Sequence, residues 1–354
     1  MDYDSESLST DRKQVQESFM RSAVAVPYTN DPSDLRPRSS QATGRDQVHD
    51  STRRMVVTFL VFAMSIAVAS VALGQGKGKA KEDPKLKLRT VTLKTRDGIA
   101  LRAFYMPSDK GKEAIPVILV HEWEGQASPY GKLVAALHNA GCAVLVPDYR
   151  GHGGSNEYID GRGKTQTFNL ATMNRRDIDA ILSADLEEAK QFLKHENDAG
   201  NLNLNALVMI GVREGGVLAS HFAMRDWRWP SIGSKKQGQD VKALVLISPE
   251  KQLKGIGIDP TLMDANVLRL PIMLVAGDTS SEASETIRIA KRIEVFKKKV
   301  GQGEVTGLNQ QMVKTSLSGP ALVNESSEVI PAVVEFVKAN VNPSNDVNPW
   351  VERN

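Results

Sequence analysis

Six short runs rich in apolar residues, spaced along one stretch of the chain, constrain its fold more than any other feature. They are IPVILVHE (115–122), CAVLVPDYRG (142–151), ALVMI (206–210), VKALVLISP (241–249), PIMLVAGD (271–278) and QMVKTSL (311–317). Runs this short, full of Val, Ile and Leu, read as strands buried on both faces. Helical spacing fills the gaps at 129–141, 175–196 and 217–227, near 282–300 and near 326–340. Strands that alternate with helices give a mostly parallel sheet covered on both sides. Ahead of the first run, LRTVTLKT (88–95) and IALRAFYMP (99–107) meet at a hairpin turn around Arg96, Asp97 and Gly98. The expectation is an α/β domain over 89–342, with a sheet of about eight strands, helices on both faces and an antiparallel edge. Residues 343–354 follow as a C-terminal tail. No internal repeat is visible.

The N-terminal part has a different character. Residues 1–50 are rich in Ser, Asp, Arg and Gln and read as a disordered leader. Residues 51–74 combine Arg53 and Arg54, an uncharged apolar run from Met55 to Leu73, and small residues before Gln75. A positive flank, an apolar core and a small-residue cleavage site make a signal peptide. A run of this length would equally serve as a membrane anchor through 55–73. The chain is therefore expected to be exported, periplasmic or extracellular, or tethered to a membrane. The leader before Ser51 is long for a signal peptide, so it is either a cytoplasmic tail or a start read too early. Residues 75–88 form a basic, Gly- and Lys-rich linker.

Composition narrows the chemistry. A formal net charge of +3 over 354 residues gives no case for nucleic acid as a partner. The single cysteine, Cys142, rules out an intrachain disulfide and a cysteine-rich metal site, and it reads as a small core residue. No His-Glu-x-x-His spacing occurs, so no metal or other cofactor is expected. GRGKTQ (161–166) echoes a phosphate loop, but Tyr158 stands where the upstream glycine belongs and no strand precedes it. It reads as a basic loop.

The chemistry-bearing pieces lie at the strand ends. They are HEWEG (121–125), PDYRGHGGS (147–155), GVREG (211–215) and the Gly277–Asp278 pair. In this order and strand context the chain resembles the α/β-hydrolase superfamily, in its dienelactone-hydrolase-like branch, over about 90–340. The resemblance implies an α/β-hydrolase fold. The short segment at 250–270 implies no large lid domain.

It also implies a catalytic set of nucleophile, acid and histidine, with the nucleophile held on a sharp strand-to-helix turn. The matching positions hold Arg213, Ser280 and Leu322. A guanidinium stays protonated, offers only donors and cannot attack a carbonyl. A shift of one place would bring Glu214 to the tip as a carboxylate nucleophile. Asp278 could stand in as the acid. None of the six histidines lies after His221, whereas the superfamily's base follows the last strand. His121 and His152 lie nearest the pocket and are expected to bond loop backbone. His221 is expected to pack or cap locally, and His138 and His195 to lie on helix surfaces. The pocket and oxyanion region is expected around His121, Glu122, Trp123, Gly125, Arg213 and Glu214.

The reading is an α/β-hydrolase-fold protein inactive as a serine or cysteine hydrolase. It would bind a small anionic ligand at Arg213 or a protein partner. Alternatively Arg213 pairs internally with Glu122 or Asp278 and fills the pocket, with Glu124 and Glu214 on loops nearby. The other reading is an ester or acyl hydrolase with a non-standard catalytic set.

Overall fold

The structure, a computed structural model, describes residues 87–233 and 236–353. The leader, the apolar run 55–73 and most of the basic linker lie outside them. Residues Lys77–Asn354 make one compact unit.

Eight strands form its central sheet: β1 (Arg89–Lys94), β2 (Ala100–Met106), β3 (Ile115–Val120), β4 (Cys142–Pro147), β5 (Leu207–Val212), β6 (Val241–Ile247), β7 (Ile272–Gly277) and β8 (Leu308–Val313). Their spatial order is β1-β2-β4-β3-β5-β6-β7-β8. The β1–β2 and β2–β4 pairs are antiparallel and the other pairs are parallel. The sheet is thus mostly parallel, with the opening hairpin at its edge.

Residue alternation along each strand builds two cores. Leu207 and Met209 of β5 face one layer, and Val208, Ile210 and Val212 face the other. The first layer takes Leu186 and Leu193 from α3 (Leu186–Asp198), Val217, Leu218 and Phe222 from α4 (Gly215–Arg228), and Ile289 and Ile293 from α6 (Ala283–Val300). The second takes Leu133 and Leu137 from α1 (Gly131–Asn139), Leu322 from α7 (Gly319–Glu325), and Val333 and Val337 from α8 (Val329–Asn340). Such two-sided cover leaves the strands no polar face, which is why they read as continuous apolar runs. Between β6 and β7 lie only a two-residue hairpin, the short helix α5 (Asp259–Leu262) and a turn, so no lid domain covers the site.

Four local features depart from the sequence reading. The long helix at 175–196 is broken: α2 (Arg175–Ala180) passes through a π turn, Ile181–Asp185, before α3 begins. The last strand ends at Val313, so 314–318 are loop, and α7 is a further helix that precedes the expected last one, α8. GRGKTQ lies on a small hairpin whose turn is filled by its own Asp160, which accepts from the N–H groups of Arg162 and Lys164 at 2.9 Å each.

The C-terminal tail is strapped down. Asn203 Nδ2 donates to Asn348 O at 2.7 Å, Asn205 Nδ2 to Pro349 O at 2.9 Å and Asn197 Nδ2 to Val351 O at 3.0 Å. The strap crosses the start of β5, at the opposite end of that strand from the turn into α4. It ends in a buried ion network. Lys190 Nζ lies 2.5 Å from Asp226 and 2.9 Å from Asp240, and Arg353 Nη2 lies 2.5 Å from Asp240. Removing one charge from a buried set strands its partners. Lys190→Met is expected to cost about 3–5 kcal/mol, read as a lower urea midpoint at an unchanged slope.

Candidate active site

The turn from β5 into α4 is set by close packing. A side chain on Gly211 would strike the backbone of Gly215 and Gly216, and one on Gly215 would strike the carbonyls of Val120 and His121. With both glycines fixed, the residue between them must turn sharply. Arg213 takes φ +49°, in the left-handed region that a non-glycine residue enters at a cost of roughly 1–3 kcal/mol. Its own N–H donates to Ile247 O at 2.9 Å, and Gly216 N–H donates to Arg213 O at 2.9 Å. This is the geometry of a nucleophile elbow with an arginine at its tip.

The guanidinium is held within the protein. Nη1 donates to Glu282 Oε1 and, at 2.8 Å, to Ser318 Oγ, and Nη2 donates to Glu250 Oε1 at 2.6 Å. Glu214 Oε2 lies 3.9 Å from Nε. Glu282, only 4% exposed, precedes the first turn of α6 and also accepts from Ser281 Oγ at 2.8 Å. Burial disfavours the charge on Arg213, but Glu282, Glu214 and Glu250 outweigh it and hold the guanidinium more firmly protonated. Burial likewise raises Glu282, yet the hydroxyls of Ser281 and Ser318 and the charge of Arg213 keep its carboxyl below the usual range. Glu250 goes the other way, pushed up by burial and by Glu214, Glu282 and Glu285 against the pull of Arg213. Three carboxylates thus surround one cation. The cleft above them, about 330 Å³, is lined by Arg213, Glu250, Lys251, Ser281, Glu282 and Glu285.

The partners are not the ones the sequence pointed to. Glu122 is engaged elsewhere, accepting from Tyr130 O–H. Asp278 is exposed and accepts from Thr315 N–H at 3.1 Å. Glu124 is exposed as well. Ser280 bonds back to Gly277 O at 2.9 Å and does not reach the elbow, so the acidic group beside the tip is Glu282, two residues later. Leu322 is fully buried in the second core and cannot face the site. Because β8 ends early, the residue that the last loop presents to the tip is Ser318. Gly319 follows at φ +53°, and a side chain there would come within 2.8 Å of Arg213 Cδ. Glu250, Glu282 and Ser318 were missed because each belongs to a loop whose length sequence periodicity does not fix.

The oxyanion region is occupied too. In this kind of elbow the oxyanion is bound by the N–H after the tip and by one from the loop after β3. The loop donor, Trp123 N–H, is given to Glu214 Oε2 at 3.3 Å. An acyl oxyanion would have to displace a carboxylate from that N–H. Glu214 itself lies one residue beyond the tip and opens α4. Gly125 is tight against Glu122, whose side chain fills the space a Cβ would need.

The histidines sit beside this region and bond backbone. His121 Nδ1 pairs with Glu122 O at 2.7 Å, and His152 Nδ1 with Arg150 O at 3.0 Å. His121 stacks on Tyr149 with ring centres 4.5 Å apart, and His152 lies 4.1 Å from the same ring. His221 Nε2 pairs with Gly257 O at 2.9 Å, His195 is exposed on α3, and His138 is half-buried on α1. Asp148 organises the loops around them, accepting from Ala127 N–H and Gly154 N–H at 2.8 Å each and from Arg102 Nη2 at 2.6 Å. Among the described residues, no histidine bonds Arg213. Cys142 is buried at the start of β4, and burial pushes its thiol up to about 12. Among the described residues, no group of three or more His, Cys, Asp or Glu side chains is arranged to hold a metal ion.

The strand order, the elbow and the loops above it define an α/β-hydrolase fold. An esterase of Pyrococcus furiosus superimposes with a TM-score of 0.51 at 18% identity, over 73% of this chain and 92% of that one. The same esterase in another crystal form gives 0.50 at 17% identity, over 72% and 93%. A dienelactone hydrolase of Anabaena variabilis gives 0.48 at 16% identity, over 72% and 96%. At such identities the likeness is one of fold. No model of a known protein family matches the chain. Two uncharacterized proteins of Mycobacterium tuberculosis are 37% identical over 67 residues, which is 19% of this chain and 24% of each of them. That match spans about a quarter of their length.

Burial holds both inner histidines neutral: His121 is pushed down and His152 falls to about 4 from its ordinary 6.5. The unfolded chain takes up these protons near 6.5 and the native chain does not until lower pH, so stability present above 6.5 is lost as pH falls toward 4. Urea unfolding at about pH 7.5 and about pH 5 should show the loss, and His152→Gln should lose measurably less between those two points.

Proposed function

We propose that this protein is an α/β-hydrolase-fold pseudoenzyme: it does not hydrolyse esters by a serine or cysteine mechanism and acts by binding. The observation that carries the proposal is the guanidinium of Arg213 at the elbow tip, tied to Glu282, Glu250 and Ser318. A group that only donates cannot be a nucleophile. The Trp123 N–H that would stabilise an oxyanion faces a carboxylate. A negative charge developing there would meet repulsion where catalysis needs attraction.

Of the binding roles, reception of an anion by Arg213 is the weaker. Three of the five N–H bonds of the guanidinium are already given to protein oxygens, and the surrounding carboxylates would repel an incoming anion. Internal pairing accounts for the arginine better, with Glu250 and Glu282 in place of Glu122 and Asp278. A protein partner remains part of the proposal. So does export, or tethering through 55–73, which rests on Arg53, Arg54 and the apolar run after them.

The second reading, an ester or acyl hydrolase with a non-standard catalytic set, draws on the Pyrococcus furiosus esterase that shares the fold. It needs a nucleophile and a base that the tip does not supply.

The test is hydrolysis of p-nitrophenyl butyrate by the purified chain, with folding checked by circular dichroism. Neither the wild type nor Arg213→Ser should exceed the buffer rate. Arg213→Ser combined with Ser318→His supplies a nucleophile and a base beside the waiting Glu282, and Glu214→Ala is added to free the Trp123 N–H. That triple variant should exceed Arg213→Ser by roughly 10²-fold, the lower end of what a positioned base provides. Wild-type turnover that disappears in Arg213→Ala would overturn the proposal.

A further inference from the structure

A second cleft lies against the other half of α4. It encloses about 570 Å³ and shares no lining residue with the cleft at Arg213. Its volume falls within the roughly 300–1,000 Å³ typical of small-molecule sites. One wall is Leu182 and Ser183, and the other is His221, Met224, Arg225 and Trp229. The first wall belongs to the π turn Ile181–Asp185. Such turns insert an extra residue into a helix and are frequent at functional sites. Here the turn accounts for the break in an otherwise long amphipathic helix.

The charges along the cleft are unequal in their pairing. Arg228 is matched, with Nη2 2.8 Å from Asp264 Oδ2. Arg225 is not: among the described residues its guanidinium has no carboxylate partner, and its buried Nε finds no acceptor. Its one contact of note is the ring of Trp229, 5.5 Å away. A partly desolvated guanidinium beside an aromatic face, with apolar side chains along the floor, lacks an anion. The lining also holds Asp179, whose charge acts on His221, and Nε2 of that histidine is taken by Gly257 O. A second negative charge on the ligand would therefore be repelled.

We infer that this cleft binds an amphiphilic monoanion, a medium-chain carboxylate. Its carboxylate lies on the guanidinium fork of Arg225, and its apolar body lies along Leu182, Met224 and Trp229. This goes beyond the pseudoenzyme reading and is independent of it, since none of these residues takes part in the elbow.

The experiment is calorimetric titration of the full chain with decanoate, decanol and decyltrimethylammonium. It is repeated on Arg225→Gln, Arg225→Lys and, as a control on the exposed side of α8, Lys338→Gln. Because the chain also carries the apolar run 55–73, occupancy is read at the site itself, as protection of Arg225 from phenylglyoxal measured by peptide mass mapping. Decanoate should bind and protect Arg225, and decanol and the cation should do neither. Arg225→Gln should weaken decanoate roughly tenfold or more, the scale of one charge-assisted hydrogen bond. Arg225→Lys should lose less, and Lys338→Gln should match the wild type. Equal binding of decanol, binding indifferent to Arg225→Gln, or no protection of Arg225 would overturn the inference. So would a change of oligomeric mass in Arg225→Gln without decanoate binding, which would make the cleft an interface between copies of this chain.

Discussion

A positive charge fixed at the sharpest turn of the backbone dictates the rest of the site. The elbow cannot relax, because Gly211 and Gly215 are packed too closely against neighbouring backbone to admit side chains. Arg213 is therefore aimed into the space at the C-terminal ends of the strands, where α/β sheets present their ligands. A guanidinium directed there, partly out of water, needs carboxylates. Glu282 from the start of α6 and Glu250 from the loop after β6 provide them, and Ser318 from the loop after β8 takes a further N–H. Gly319 stays bare because the arginine stem occupies the space its side chain would need. The elbow and the loops after β6, β7 and β8 together assemble an ion cluster.

Similar packing keeps the neighbouring loops in place. Asp148 collects N–H groups from two loops and a guanidinium from β2, which anchors the turn carrying His152. His121, Tyr149 and His152 stack behind it with both imidazoles pushed toward the neutral form by burial. A buried imidazole that bonds backbone through Nδ1 supports its loop. The retained glycines are explained in the same terms, since the β5–α4 packing requires them whatever stands between them.

Much of this was legible in the sequence, and the limits were physical. The strands are visible because burial on both faces makes them continuous apolar runs, and four motifs at their ends fix the elbow and place Arg213 at its tip. The backbone role of His121 and His152 also follows from their loop positions. What pattern cannot supply is loop geometry. A strand that ends at Val313 instead of Leu317 moves the last loop and brings Ser318, not Leu322, to the tip. Glu282 reaches the arginine although Ser280 holds the expected spacing, because a hydrogen bond from Ser280 to Gly277 turns the chain before α6 begins. Glu250 follows β6 directly, but nothing in its local sequence marks it as a partner for a residue 37 positions earlier. The π turn is equally hidden, since one extra residue leaves an amphipathic pattern almost unchanged.

Arg213 and Glu282 hold each other at the tip of the elbow. A double-mutant cycle in urea unfolding, with Arg213→Ala, Glu282→Ala and the pair, measures that directly. Each single change is expected to take one partner from the other charge, and the pair together to cost less than the sum by about 1–3 kcal/mol. Additive losses, with no coupling between the two positions, would contradict it and leave the arginine free to face a ligand.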